Sequence, residues 1–156
     1  QYSSPIVIEH GGKRQYVQLV MKKLFGVEAG TGKVLWQSDW SGRTAVIPTP
    51  IYADGQVYIT TGYGVGSKLV KLDGSGGATD VWENKVMKNH HGGVIKVGDY
   101  LYGYSDGPGW ICQDWKTGEE VWADKSLGKG AVHYADGMLY CLDEGRGTVV
   151  LAEASP

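Results

Sequence analysis

The sequence has 156 residues, a formal net charge of −2 and 42% hydrophobic residues, which suits one domain with one core. Its 15 basic residues are scattered rather than gathered in a stripe, and no apolar run approaches the ~18 residues of a membrane span, so nucleic-acid binders and membrane-spanning proteins are excluded. The 25 glycines, 6 tryptophans and 10 tyrosines favour an all-β chain of short strands.

The first predicted hairpin joins a strand at residues 24–28 to a strand at 33–36 through Ala29-Gly30-Thr31-Gly32. A second copy of this hairpin lies at residues 110–122. Residue 1 is Gln rather than Met, so we also expect the sequence to be a mature or truncated segment.

A different hairpin occurs three times, at residues 52–58, 96–102 and 134–140. Each copy consists of two short alternating segments around a two-residue turn, and Asp-Gly forms this turn in the first and last copies. Asp-Gly supplies the positive φ angles that a tight hairpin turn requires. Two hairpins per unit predict four antiparallel strands.

Three tryptophans mark the repeating unit. Trp36, Trp82 and Trp122 follow one another at intervals of 46 and 40 residues, the length of one β-propeller blade. We therefore predict that residues 1–156 form a single β-propeller segment. The expected blades are residues 1–42, 43–88, 89–127 and 128–156.

The fourth predicted blade is incomplete. Its last strand is Thr148–Ala152, and no fourth strand or tryptophan follows. Propellers close at typically four to eight blades, and an open stack exposes apolar faces at both ends. We expect that further blades or a second copy of the chain, forming a homodimer, complete a larger ring.

The segments that end on these tryptophans resemble the tryptophan-docking motif of the pyrroloquinoline quinone (PQQ) repeat family, Ala-x-Asp-x-x-Thr-Gly-x-x-x-Trp. Residues 26–36 and 112–122 match it. Residues 72–82 depart from it by one extra residue and by the loss of the Thr-Gly pair, but they keep the tryptophan. The resemblance spans the chain and implies a quinoprotein-like propeller. It implies structural docking roles for Trp36, Trp82, Trp122, Thr31, Gly32, Asp114, Thr117 and Gly118.

The resembled family includes PQQ-dependent alcohol dehydrogenases, outer-membrane assembly lipoproteins and secreted bacterial proteins without assigned chemistry. Residues 90–93, 99–103 and 151–156 look most like the last group, the uncharacterised secreted PQQ-like repeat proteins. The resemblance thus implies a periplasmic or secreted location. It fixes the fold better than the function.

Two loops carry the candidate ligand-binding residues. His90 and His91 precede a predicted inner strand. Because neighbouring side chains of an extended chain point to opposite faces, we expect at most one of the two imidazoles to line the channel. A single imidazole is a poor metal site, so we expect no metal to bind there. Asp106 and Trp110 lie in a turn-rich loop of the kind that often carries binding residues. The alternatives are a loop histidine bonded to nearby backbone, ordinary turn chemistry for Asp106 and a core role for Trp110.

The sequence favours a binding scaffold in which no residue is catalytic and no cofactor or metal is needed, with a protein or a small ligand as its partner. The alternative is a fragment of a PQQ-dependent dehydrogenase, which would require PQQ with calcium and, in many members, a pair of adjacent cysteines. Cys112 and Cys141 are not adjacent. We expect two buried thiols, with a single disulfide as the alternative.

Overall fold

The computed structural model describes residues 1–156 and contains fifteen strands and no helix, which confirms the all-β prediction. No helix long and apolar enough to cross a membrane is therefore present. The strands are β1 (Ile6–His10), β2 (Lys13–Leu19), β3 (Lys23–Glu28), β4 (Val34–Asp39), β5 (Ile51–Ala53), β6 (Gln56–Thr61), β7 (Gly66–Leu72), β8 (Ala78–Asn84), β9 (Val94–Val97), β10 (Tyr100–Ser105), β11 (Gly109–Asp114), β12 (Glu120–Asp124), β13 (Gly130–Ala135), β14 (Met138–Asp143) and β15 (Thr148–Glu153).

The strands form four antiparallel sheets, each an up-and-down meander in chain order. Blade 1 is β1–β4, blade 2 is β5–β8, blade 3 is β9–β12 and blade 4 is β13–β15. The first three have four strands and the last has three. These are propeller blades.

The two-residue turns have the predicted conformation. Asp54 and Gly55 have φ of 52° and 72°, and Asp136 and Gly137 have φ of 51° and 79°. Positive φ at both central positions matches the right-handed twist of the flanking strands. The turns therefore set the register of the first hairpin in blades 2 and 4.

Successive blades pack face to face around three separate apolar clusters. The cluster between blades 1 and 2 contains Trp36 and Val57, that between blades 2 and 3 contains Tyr58 and Leu101, and that between blades 3 and 4 contains Tyr102 and Leu139. Because side chains alternate between the two faces of a strand, each blade has one face toward the preceding blade and one toward the next. The core is thus divided into layers between blades.

A β-bulge at one equivalent position brings each tryptophan over the sheet. The register shifts after Gly26, Leu69 and Cys112, which pair with Trp36, Trp82 and Trp122 respectively. Trp36 is 4% exposed, and its Nε1 donates to Gln15 Oε1 at 2.8 Å. Trp82 and Trp122 are partly buried in the next two layers.

The Thr-Gly turn of blade 3 lies on the tryptophan of blade 2. Asp114 Oδ1 accepts hydrogen bonds from the backbone N–H groups of Lys116 at 2.8 Å and Thr117 at 2.7 Å. Gly118 has φ of 75°, and a Cβ added there would lie 2.7 Å from Trp82 Cδ2. Glycine therefore allows both the backbone conformation and the close contact with the indole.

The corresponding turn of blade 1 is uncovered. Thr31 Oγ1 donates to Glu28 Oε2 at 2.5 Å, and Gly32 has φ of 73°. Nothing lies within 4 Å of a Cβ built on Gly32. The surface that a tryptophan covers in blade 3 is thus bare in blade 1.

Both thiols are buried and free. Cys112 is fully buried and Cys141 is 7% exposed, and both belong to the layer between blades 3 and 4. Burial raises the pKa of each thiol. The structure thus has the buried-thiol arrangement rather than the disulfide.

Candidate functional site

Four polar side chains from blades 2 to 4 meet at one end of the sheets. Tyr63 lies between β6 and β7, His90 between β8 and β9, Asp106 between β10 and β11, and Lys129 just before β13. In antiparallel meanders, the loops between second and third strands and the connections between blades emerge at the same end. These four residues are called the polar cluster below.

Lys129 is the centre of the polar cluster. Its Nζ lies 2.7 Å from Asp106 Oδ1 and 3.0 Å from His90 Nδ1. A lysine ammonium has donors only, so His90 Nδ1 accepts and the ring proton resides on Nε2. His90 Nε2 therefore donates to the hydroxyl of Tyr63, 2.9 Å away.

The surroundings of His90 favour its neutral form. Burial lowers the pKa of His90, and the positive charges of Lys129 and His91 lower it further. The carboxylates of Asp106 and Glu144 oppose this shift without reversing it. The direction of the shift agrees with the tautomer that the Lys129 contact requires.

The prediction that the two histidines point to opposite faces is wrong. Their ring centroids lie 4.8 Å apart, and His91 Nε2 is 3.5 Å from Glu144 Oε2. Residues 87–93 form a bent connection rather than a strand, so the alternation of an extended chain does not apply. Both imidazoles consequently lie at this end of the sheets.

Buried groups fix the backbone around His90. Asn89 is fully buried, and its Nδ2 donates to the carbonyls of Gly93 at 3.1 Å and Tyr104 at 2.9 Å. A Cβ added at Gly62 would lie 2.7 Å from the Cα of His90. The connection is therefore held against both neighbouring blades, and the imidazole is positioned before any ligand binds.

The polar cluster is accessible from solvent and combines both signs of charge. The side chains of Lys129 and Asp106 are 26% and 33% exposed. Together with neutral His90 and the Tyr63 hydroxyl, they present an ammonium, a carboxylate and uncharged hydrogen-bonding groups. Such a surface can bind a polar ligand or peptide, while no group of three His, Cys, Asp or Glu side chains is placed to hold a metal ion.

The structure brings together three of the four predicted ligand-binding residues. His90 and Asp106 share Lys129, and the ring of His91 lies tilted beside that of His90. Trp110 is only 6% exposed and its Nε1 donates to the carbonyl of Gly128 at 3.0 Å, so its indole belongs to the core layer. A ligand-binding role for Trp110 stays a prediction.

Sequence reasoning missed Lys129, Tyr63 and Glu144. Lys129 has no motif of its own, and Tyr63 lies in a glycine-rich turn whose sequence does not indicate a binding role. One signal was available: all three lie in segments that the repeat places at the same end of the blades as His90. Aligning the loops, rather than the strands, finds them.

The family is decided by a family model described as outer membrane protein assembly factor BamB. It matches residues 2–124 and, in a second overlapping match, residues 68–155. The chain belongs to this family. Membership in the BamB family confirms the PQQ-like repeat resemblance and agrees with the tryptophan period. No curated protein matches the sequence.

Several solved structures have a similar fold. The computationally designed Ika4 protein has a TM-score of 0.69 at 13% identity, and the match covers 99% of this chain and 94% of Ika4. BamB from Moraxella catarrhalis has a TM-score of 0.59 at 16% identity, covering 93% of this chain and 50% of that chain. A europium-containing methanol dehydrogenase has a TM-score of 0.55 at 18% identity, and the match covers 82% of this chain and 25% of the dehydrogenase chain. At these identities, the similarity establishes the propeller fold, and the chain spans half of that BamB and a quarter of that dehydrogenase.

Proposed function

We propose that this chain is a non-enzymatic propeller scaffold of the bacterial cell envelope that binds a partner protein through the polar cluster. The observation that carries the proposal is the cluster itself, in which Lys129 joins groups from neighbouring blades at a partly exposed surface. Buried Asn89 holds this surface in place, and preorganisation lowers the entropic cost of binding. Membership in a family described as an outer membrane assembly factor supports a protein partner and a periplasmic location.

A photo-crosslinking amino acid placed at Lys125 tests the binding surface. Lys125 is exposed, lies in the β12–β13 connection and is outside the polar cluster. The same amino acid at exposed Asp136, in a turn at the opposite end of blade 4, is the matched control. We expect crosslinking in intact cells to yield a defined protein adduct from position 125 alone, and Lys129→Met to abolish it. Equal adducts from both positions, or adducts insensitive to Lys129→Met, contradict the proposal.

The dehydrogenase alternative requires a calcium site of carboxylate and amide oxygens beside PQQ. The chain places no group of three His, Cys, Asp or Glu side chains together, which supports a function without such a site. We therefore propose a function without PQQ or calcium. Adding both, with an alcohol or a sugar and an artificial electron acceptor, should leave the rate of dye reduction at background; sustained reduction favours the alternative.

We further propose that the two outer faces of this four-blade stack are covered in the functional assembly. On blade 4, Val149 and Leu151 are 53% and 51% exposed and point away from blade 3. On blade 1, Val7 and Tyr16 pair across β1–β2 and are 61% and 46% exposed. The exposed face of blade 4 is equivalent to the face that each earlier blade packs against the next blade, and the exposed face of blade 1 is equivalent to the face that each later blade packs against the preceding one. A second copy or further blades can cover them, and closing the ring removes exposed apolar area.

Light scattering decides between these two ways of completing the ring. A dimer that Leu151→Lys converts to a monomer supports closure by a second copy. The control is Val121→Lys, because Val121 is an exposed valine of β12 outside both outer faces. A monomer at all concentrations indicates that further blades cover the faces instead.

A further inference from the structure

An apolar cleft of about 210 Å³ lies between blades 3 and 4, and no residue of the polar cluster lines it. Ten of its thirteen lining residues are hydrophobic, among them Tyr102, Trp122 and Val132. The layer between blades 2 and 3 provides a direct comparison, since the blades repeat the same register. In blade 2, Leu69 pairs with Tyr58 on one side and with Trp82 on the other. In blade 3, Cys112 pairs in the same way with Tyr102 and Trp122.

The two equivalent tyrosines differ in their hydrogen bonds. Tyr58 is 1% exposed, and its hydroxyl donates to Gln113 Oε1 of the next blade at 3.1 Å. Tyr102 is 2% exposed, but its hydroxyl has no regular hydrogen-bond partner; its polar neighbour is the Cys112 thiol, a weak one. Burial raises the pKa of Tyr102, so the phenol keeps its proton and remains a donor. A buried donor without a strong acceptor is costly to the fold.

The missing acceptor is explained by one residue of blade 4. Leu101 pairs with Gln113 in blade 3, and the equivalent Leu139 pairs with Ala152 in blade 4. Ala152 lines the cleft and has neither the amide nor the volume of glutamine. The position that supplies an acceptor to Tyr58 is therefore empty space beside Tyr102.

Two further replacements place smaller side chains in this layer. Ile111 of blade 3 corresponds to the smaller Val150 of blade 4, which lines the cleft. Trp115, whose ring centroid is 6.1 Å from that of Tyr58, corresponds to Ala154. The layer between blades 3 and 4 thus lacks an aromatic ring and an acceptor that the preceding layer contains.

We propose that the cleft is a binding site for a small planar aromatic compound bearing a carbonyl-type acceptor. The ring takes the place that Trp115 has in the preceding layer, and the acceptor receives the Tyr102 hydroxyl as Gln113 receives that of Tyr58. The size is suitable, because apolar cavities of about 150 Å³ bind benzene and this cleft is larger. This site is separate from the polar cluster and does not depend on the function proposed for it.

The test compares two probes of equal shape, 2-acetylnaphthalene and 2-ethylnaphthalene, titrated into the chain by NMR. Binding in the cleft should shift the indole N–H signals of Trp110 and Trp122, which line it, and leave that of Trp36 unchanged. The ketone should bind about threefold to tenfold more tightly than the hydrocarbon, the range that one hydrogen bond provides.

Two variants make the result specific. Tyr102→Phe should remove the preference for the ketone, whereas Tyr58→Phe, the same change in the preceding layer, should keep it. Ala152→Gln restores the glutamine of blade 3 and should raise the melting temperature while weakening both probes at least tenfold. Absence of binding, equal affinities for the two probes, or binding that survives Ala152→Gln overturns the proposal.

Discussion

The contact between Gly26 and Trp36 allows the docking of the indole to be measured as a coupling energy. Trp36 pairs with Gly26 across β3–β4, and a Cβ added at Gly26 would lie 2.4 Å from Trp36 Cε2 and Nε1. Gly26→Ala therefore overpacks the layer between blades 1 and 2. Overpacking of a core costs about 1–3 kcal/mol, and we expect the free energy of unfolding to fall by this amount.

Removing the indole should relieve the clash. Trp36→Ala deletes a side chain that is 4% exposed and should cost about 3–5 kcal/mol. In that background the methyl group of Gly26→Ala enters the vacated space, so its own cost should fall below about 0.5 kcal/mol. The double-mutant cycle should then give a coupling of about 0.5–3 kcal/mol, the range found for residues in contact.

Urea unfolding followed by far-UV circular dichroism gives the free energy of unfolding of the wild-type chain, the two single variants and the double variant. This signal does not rely on tryptophan fluorescence, which Trp36→Ala changes. Gly30→Ala is the control, because nothing lies within 4 Å of a Cβ at Gly30. It should change the free energy of unfolding by no more than about 0.5 kcal/mol. Additive effects of Gly26→Ala and Trp36→Ala refute the inference that the indole is seated on the glycine.

Three other predictions concern buried or titrating groups. Lys68 Nζ is buried between blades 1 and 2, where it lies 2.6 Å from Asp80 Oδ2 and 2.9 Å from the carbonyl oxygen of Asp39. Lys68→Ala should therefore lower the free energy of unfolding by about 1–3 kcal/mol in urea titrations. An unchanged unfolding midpoint contradicts this prediction. The pKa of His90 in the folded chain lies below its ordinary value of 6.5. The contribution of His90 to the free energy of unfolding is therefore present above pH 6.5 and is lost as the pH falls from 6.5 toward the lower folded pKa. Melting temperatures should accordingly fall as the pH is lowered from about 7.5 to about 5, and His90→Gln should reduce this pH dependence. Burial raises the pKa of the Cys112 thiol, which does not line the apolar cleft, so iodoacetamide at pH 8 should alkylate Cys112 only in urea; rapid labelling of Cys112 in the folded chain counts against the packing.

The fold was predictable because its signals are local and repeated. Asp54-Gly55 and Asp136-Gly137 specify tight turns by their own backbone preferences, and the tryptophan period counts the blades without any knowledge of long-range contacts. The β-bulges next to Trp36, Trp82 and Trp122 were not predicted. A bulge depends on how two strands pair, and the sequence of either strand alone does not specify that pairing.

The candidate site was predictable only in part, because its contacts join distant segments. His90 and Asp106 stood out in their loops, but the residue that joins them, Lys129, has unremarkable neighbours in the sequence. The error about the paired histidines came from assuming a strand where the chain bends. Their relative orientation depends on Asn89 and Gly92, which hold the connection between two blades.

The equivalent bulges beneath Trp36, Trp82 and Trp122 have an evolutionary consequence. Because each blade presents the same two kinds of face, duplicating a blade creates a new contact of a type that already exists. A propeller of this kind can therefore change its blade number without inventing an interface, while single substitutions diversify the individual layers. Gln113 and Ala152 show such a difference between equivalent positions: Gln113 fills its layer and bonds to Tyr58, whereas Ala152 lines a cleft.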